Sequence, residues 1–236
     1  MSKYLQNGNE KNINIRLENN MFTVKDLLVE DVLEIDELQL KDKVICIEGQ
    51  SGSGKSTFIR LLNNLDDPKR GEIEFKQQSI FSLQPQELRK KIVMVPQNPM
   101  MFDGTIRDNL LIGLRFSNEE YPADERLKEL LEQLLLEKEI TTKVSDLSGG
   151  EKQRIALGRV LLMEKAEVFL LDEPTSDLDD ESTFHVMKTF LHIAKQNNQQ
   201  TIIITHDRAV SEKFADTIIN MDKYSMQVKN QGETHE

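Results

Sequence analysis

The run Val44-Ile45-Cys46-Ile47-Glu48 passes directly into Gly49-Gln50-Ser51-Gly52-Ser53-Gly54-Lys55-Ser56-Thr57, and this junction constrains the fold more than any other stretch. Consecutive β-prone apolar residues read as a strand buried on both faces, the habit of a parallel sheet covered by helices. The glycines that follow let backbone amides converge on an anion with no Cβ in the way. Ser56 to Leu65 then places Phe58, Ile59, Leu61, Leu62 and Leu65 at helical spacing, so the positive end of a helix points at the same anion. Strand, Gly49-(x4)-Gly54-Lys55-Ser56 and helix together fit a phosphate-binding P-loop. In that reading Lys55 reaches the β- and γ-phosphates of a nucleotide and the Ser56 hydroxyl ligates Mg²⁺.

The rest of the chain sorts into three characters. Residues 1–12 are polar and aperiodic, as are residues 229–236, and both read as tails. Ile13/Ile15/Leu17, Leu27-Leu28-Val29, Leu38/Leu40 and Glu72-Ile73-Glu74-Phe75 read as short antiparallel strands. Pro85 opens a helix to Lys91, and Ile92 to Val95 is a buried strand stopped by Pro96. Between Gln97 and Ser148 the pattern turns helical. Asp124 to Lys138 sets Leu127, Leu130, Leu131, Leu134 and Leu135 on one stripe, which is either core or a face kept for a partner protein. Beyond it, Lys152 to Met163 and Glu181 to Gln196 read as helices, and Val168 to Leu171 and Thr201 to Thr205 as strands. Alternating strand and helix implies a doubly wound parallel sheet.

Val168-Phe169-Leu170-Leu171-Asp172-Glu173 ends an apolar strand in two acids. A carboxylate at the C-terminal end of a parallel strand faces the ligand crevice. Asp172 is placed to hold Mg²⁺, and Glu173, one step further, to polarise an attacking water. Leu147-Ser148-Gly149-Gly150-Glu151-Lys152-Gln153-Arg154 offers a hydroxyl, two exposed amides and a fresh helix N-terminus, a second place for a γ-phosphate.

That last segment resembles the signature of ATP-binding cassette (ABC) ATPases, and the other motifs agree with it. Gln97 is similar to the family glutamine that senses Mg²⁺ and relays to a partner subunit. Ser176-Asp177-Leu178-Asp179 resembles the segment that links two active sites, and His206 the switch histidine that contacts γ-phosphate. His185, His192 and His235 match no motif. The likeness runs from Ile13 to Tyr224 and implies an α/β P-loop NTPase. Its RecA-like parallel core would carry an antiparallel β subdomain and an inserted helical subdomain over residues 98–150, within a domain spanning 13–228. It further implies ATP and Mg²⁺ as ligands, with Ser56, Gln97 and Asp172 around the metal and Glu173 and His206 as the catalytic pair. Gly49 to Thr57 would grip one nucleotide while Ser148, Gly149 and Gly150 cap the nucleotide of another copy. One copy cannot close such a site on itself, so a head-to-tail homodimer or heterodimer is expected.

Two departures from the family pattern stand out. The aromatic that most cassettes stack on adenine falls within Met21-Phe22-Thr23-Val24-Lys25, where Val24 is the expected occupant and Phe22 a substitute by a shifted register. Met101 to Leu110 resembles export-type cassettes, whereas Thr141 to Asp146 lacks the loop usual in fused exporters. A separate small cassette paired with a permease dimer, as in certain metal-export systems, reconciles the two. Met100-Met101-Phe102 is then either a permease-docking surface or core.

Composition bounds the remaining choices. The chain of 236 residues balances 30 Lys+Arg against 41 Asp+Glu for a net charge of −11, which argues against a nucleic-acid partner. Its single cysteine, Cys46, cannot form an internal disulfide, and reads as a small core residue rather than a thiol beside the nucleotide. No apolar stretch approaches a membrane span and the start shows no signal-peptide pattern. The expectation is a cytoplasmic ATPase, peripheral on the membrane, that powers separate transmembrane permease subunits. The alternative is a soluble ABC ATPase with an assembly role.

Overall fold

The computed structural model describes residues 20–228. The expected strand at Ile13, Ile15 and Leu17, both polar tails and His235 lie outside the described residues. An antiparallel sheet forms from β1 (Phe22–Val29), β2 (Leu33–Leu40), β4 (Arg70–Phe75) and β5 (Gln78–Ser79), in the order β2-β1-β4-β5. In the β1–β2 register Phe22 faces Leu40 and Val24 faces Leu38.

The second sheet holds β3 (Val44–Glu48), β6 (Ile92–Val95), β7 (Val168–Asp172), β8 (Gln200–Ile204) and β9 (Thr217–Asn220). Its order is β6-β7-β8-β3-β9, with every pair parallel. Alternate residues of each strand feed opposite cores, as the two-residue period of a strand requires. Cys46, Phe169, Leu171 and Ile203 enter one core with the helical segments, while Ile45, Ile47, Leu170, Ile202 and Ile204 enter the other with the antiparallel sheet. Cys46 is thus a core residue, and burial, reinforced by the Glu48 carboxylate, pushes its thiol up to about 12. Since the thiolate is the reactive form, a thiol reagent is expected to modify no cysteine in the native protein and one after denaturation. Labelling of the native form at the rate of a free thiol would contradict this burial.

The helices are α1 (Lys55–Leu62), α2 (Pro85–Lys91), α3 (Ile106–Ser117), α4 (Asp124–Gln133), α5 (Gly149–Leu161), α6 (Asp180–Gln196) and α7 (Arg208–Phe214). Between β6 and α5 the named elements are α3, α4 and a 3₁₀ turn at Val144–Asp146, joined by irregular chain. Two helices stop earlier than their leucine spacing suggests, for one reason. After α4 the backbone reverses at Leu135 (φ 57°), whose N–H donates to Glu132 O while that of Leu136 donates to Leu131 O. This paired reversal closes the last turn and swings the next side chain inward. Leu136 becomes buried and Leu135 is left 40% exposed. Leu127, Leu130, Leu131 and Leu134 are core, so the stripe is spent inside the molecule rather than on a partner. After α1, Asn64 (φ 55°) makes the same reversal and leaves Leu65 41% exposed.

Among the described residues, no helix is long and apolar enough to cross a membrane.

Candidate active site

The C-terminal ends of β3, β6, β7 and β8 deliver Gly49, Gln97, Asp172 with Glu173, and His206 to one edge of the parallel sheet. At β3 the chain turns through Gly49 (φ 146°), where an added Cβ would lie 2.7 Å from Ser53 Oγ and 2.8 Å from Asp222 Oδ1. Only glycine fits there. Ser51 and Gly52 stay exposed at the crest of the loop, and Gly54 (φ 89°) turns the chain into α1, which carries Lys55, Ser56 and Thr57. Lys55 is buried, and its ammonium donates to Gly49 O and Gln50 O at 2.8 Å each, which holds the positive charge over the loop. Ser53 Oγ is buried without a partner, a group of the kind that a phosphate oxygen satisfies.

Gln50 N donates to Asp222 Oδ1 at 2.8 Å. Asp222 sits in the short 3₁₀ turn Met221–Lys223 after β9 and fixes the entrance of the loop. The sequence reading missed this residue, because no local pattern ties a carboxylate there to a loop so distant in the chain.

Opposite the loop, Ser56 Oγ donates to Asp172 Oδ1 at 3.2 Å. Burial raises the Asp172 carboxyl above its ordinary range, and the Ser56 hydrogen bond and the Lys55 and Arg60 charges only partly offset it. A desolvated carboxylate beside a hydroxyl, short of positive charge, fits a divalent cation. Among the described residues no cluster of three or more His, Cys, Asp or Glu side chains forms a self-sufficient metal site.

Glu173 follows at a left-handed φ of 46°, a conformation costly for a side-chain-bearing residue and characteristic of functional turns. Its carboxylate is held from two sides, accepting from Gln97 Nε2 at 2.9 Å and meeting His206 Nε2 at 3.1 Å. Strand β8 ends at Ile204 rather than Thr205, because Thr205 Oγ1 turns back to accept from Asp207 N at 3.0 Å. That turn directs His206 toward Glu173.

Ser148 is the N-cap of α5. Its hydroxyl accepts from Glu151 N at 3.3 Å while the Glu151 carboxylate accepts from Ser148 N at 2.8 Å, a reciprocal capping box. Contacts of Gly149 and Gly150 run to the segment after Glu173. A Cβ on Gly149 would lie 2.5 Å from Asp177 Oδ2, and one on Gly150 2.8 Å from Asp177 O. The Gly-Gly pair therefore permits close packing of α5 on Asp177 and Leu178, and Gly150 is buried there.

Phe22 and Val24, the two candidates for the adenine-stacking position, do not reach this surface. Phe22 and Val24 are both 0% exposed and belong to the core beneath the antiparallel sheet, where Phe22 packs on Phe75 with ring centroids 5.3 Å apart. Residues two apart on a strand share a face, so neither can stack on a base. His185 and His192 lie exposed on α6, away from these contacts.

A groove of about 650 Å³ opens between α2, β6, α3 and α5, lined by Met94, Met100, Phe102, Phe116 and Arg159 among others. Met100 and Phe116 are each 69% exposed, whereas Met101 and Phe102 are half-buried. Met100 is thus surface, Phe102 lines the groove beside it, and Met101 packs against the core.

The family model described as ABC transporter matches residues 37–176. ABC transporter I family member 17 of Arabidopsis thaliana is 36% identical over 179 residues, covering 75% of this chain and 67% of that protein. The methionine import ATP-binding protein MetN of Staphylococcus haemolyticus is 34% identical over 200 residues, covering 81% and 58%. Among solved structures, a bacterial Atm1-family ABC exporter with ATP bound superposes with a TM-score of 0.75 at 26% identity, covering 88% of this chain and 38% of that one. The chain matches between 50% and 67% of the length of the first five curated relatives. A match that takes in the glycine loop, the Ser148-Gly149-Gly150 helix and the Asp172-Glu173 strand end places this chain in the ABC transporter family.

Proposed function

We propose that this chain is the ATP-binding and ATP-hydrolysing subunit of an ABC transporter, peripheral on the cytoplasmic face of the membrane, and that it drives a separate permease through ATP-dependent closure of two copies. The observation that carries the reading is the Glu173 carboxylate, held between Gln97 and His206 one residue beyond the Asp172–Ser56 pair. A carboxylate fixed at both oxygens, next to a site suited to phosphate and a cation, can orient and deprotonate a water aimed at a γ-phosphate. Lys55 and the loop amides would neutralise the phosphates, Ser56 and Asp172 would hold Mg²⁺ with Gln97 at its edge, and His206 would keep Glu173 in place. When bound, Mg²⁺ supplies charge neutralisation at the phosphate oxygens. Ser148, Gly149 and Gly150, turned away from their own loop, would cap the nucleotide of a second copy arranged head to tail.

The groove around Met100 and Phe116 supports the permease assignment, since an apolar concavity beside Gln97 suits a short helix of a membrane subunit. The names of the relatives include both import and export proteins.

Affinity purification of the chain from detergent-solubilised membranes is expected to recover a multi-span membrane protein. Replacing Met100 and Phe116 by Asp should abolish that recovery, because each exposed side chain contributes about 2 kcal/mol when buried in an apolar interface. Recovery of a solely cytosolic partner, insensitive to both substitutions, would return the chain to the assembly-type alternative.

A further inference from the structure

Gln153, on the second turn of α5, is a buried polar side chain that lies outside the catalytic cluster. Both ends of its carboxamide are used. Nε2 donates to Ser176 Oγ at 2.8 Å, and Oε1 accepts from Asp177 N at 3.1 Å. The segment it grips is the continuation of the Glu173 turn, which Ser176 closes by donating its N–H to Glu173 O at 3.3 Å. The same segment rests on Gly149 and Gly150, where an added Cβ would lie 2.5 Å from Asp177 Oδ2 and 2.8 Å from Asp177 O. Residues 176–178 therefore lie along one face of the signature helix, against the two glycines of its first turn and the Gln153 side chain of its second.

We propose that Gln153 is a positioning residue that couples the nucleotide site of the chain to its own signature through Ser176 and Asp177. This rests on the ATP reading given above. The asymmetry of burial sets the direction of the argument. Ser176 and Asp177 are exposed, so water can satisfy their polar groups if they move. Gln153 has no such recourse, and stranding a buried amide is expensive. When the Glu173 turn shifts to accommodate a γ-phosphate, the signature helix must follow or lose both hydrogen bonds. In a two-copy arrangement that helix faces the other nucleotide, so Gln153 would report the state of one site to its twin.

The test is hydrogen exchange on the full chain, with and without Mg-ATP, at a concentration where the chain elutes as a monomer. In the wild type, Mg-ATP is expected to slow exchange of the amides of residues 148–156 by about fivefold, the low end of site-to-site coupling. Gln153→Met, of equal length but without hydrogen bonds, should lose this response while ATP affinity stays within about twofold. Ser176→Ala, at an exposed position on which folding does not depend, should keep about half of it. A merely architectural Gln153 would lower the thermal midpoint of Gln153→Met yet leave the ATP-dependent protection intact in both variants, and that outcome overturns the proposal. So does a wild type that binds ATP with no change at residues 148–156. A wild type that binds no ATP at all would instead strike the functional assignment.

Discussion

Glu173→Gln is expected to leave ATP bound and to lower kcat by about 10³-fold, within the range for loss of a general base. The substitution keeps the length and shape of the side chain, so the left-handed turn at φ 46° is no more strained than before. What changes is the chemistry at the two contact points. The carboxylate accepts from Gln97 Nε2 at 2.9 Å and faces His206 Nε2 at 3.1 Å. A carboxamide retains only one acceptor oxygen and cannot take a proton from water. The nucleotide should then persist between two copies, and the variant with Mg-ATP should elute at twice the monomer mass. Turnover at a near wild-type rate would remove Glu173 from the role of base, whatever the oligomeric state.

The gathering of these residues at one edge of the sheet was legible in the sequence because strand geometry does most of the placing. Asp172 and Glu173 end a run of apolar residues, His206 follows another, and Gly49 a third, so a parallel sheet brings them to one side automatically. The Gln153 clamp and the Asp222 anchor were not legible, since each joins elements that only the tertiary fold brings into contact. The departure at the adenine-stacking position has a clear physical form. Phe22 and Val24 share one face of β1, and that face is the floor of a core rather than the wall of a site.

Helix ends divide the same way. Asn64, Asn118 and Asn198 all adopt left-handed backbone angles at or just past the ends of α1, α3 and α6, and asparagine is a residue that tolerates this. Leu135 does the same at φ 57° with no local signal. Its cost is offset by the burial of Leu134 and Leu136 on either side, a tertiary gain that leucine spacing alone cannot reveal. Strand β9 escaped notice because Ile219 is its only buried residue and its partner β3 is far away in the chain.

Lys55→Ala separates binding from chemistry in the opposite sense. The ammonium sits at the centre of the loop, within 2.8 Å of two of its carbonyls, and is the buried cation nearest to where phosphates are expected. Hydrogen bonds to charged groups contribute about 1.5–3 kcal/mol each, so losing the cation should weaken Mg-ATP binding by about 10²-fold or more. The fold should tolerate the change, because Gly49 O and Gln50 O lie at a loop that solvent can reach. Lys55→Arg should not restore affinity, since a planar guanidinium cannot occupy the compact position between the two carbonyls. Equilibrium titration with a fluorescent ATP analogue distinguishes the cases. Glu173→Gln should retain the wild-type dissociation constant, while both Lys55 variants lose it in parallel with an unchanged thermal midpoint in the absence of nucleotide. Unaltered affinity in Lys55→Ala would mean that the loop does not cradle phosphate, and the assignment of every residue from Gly49 to Thr57 would fall with it.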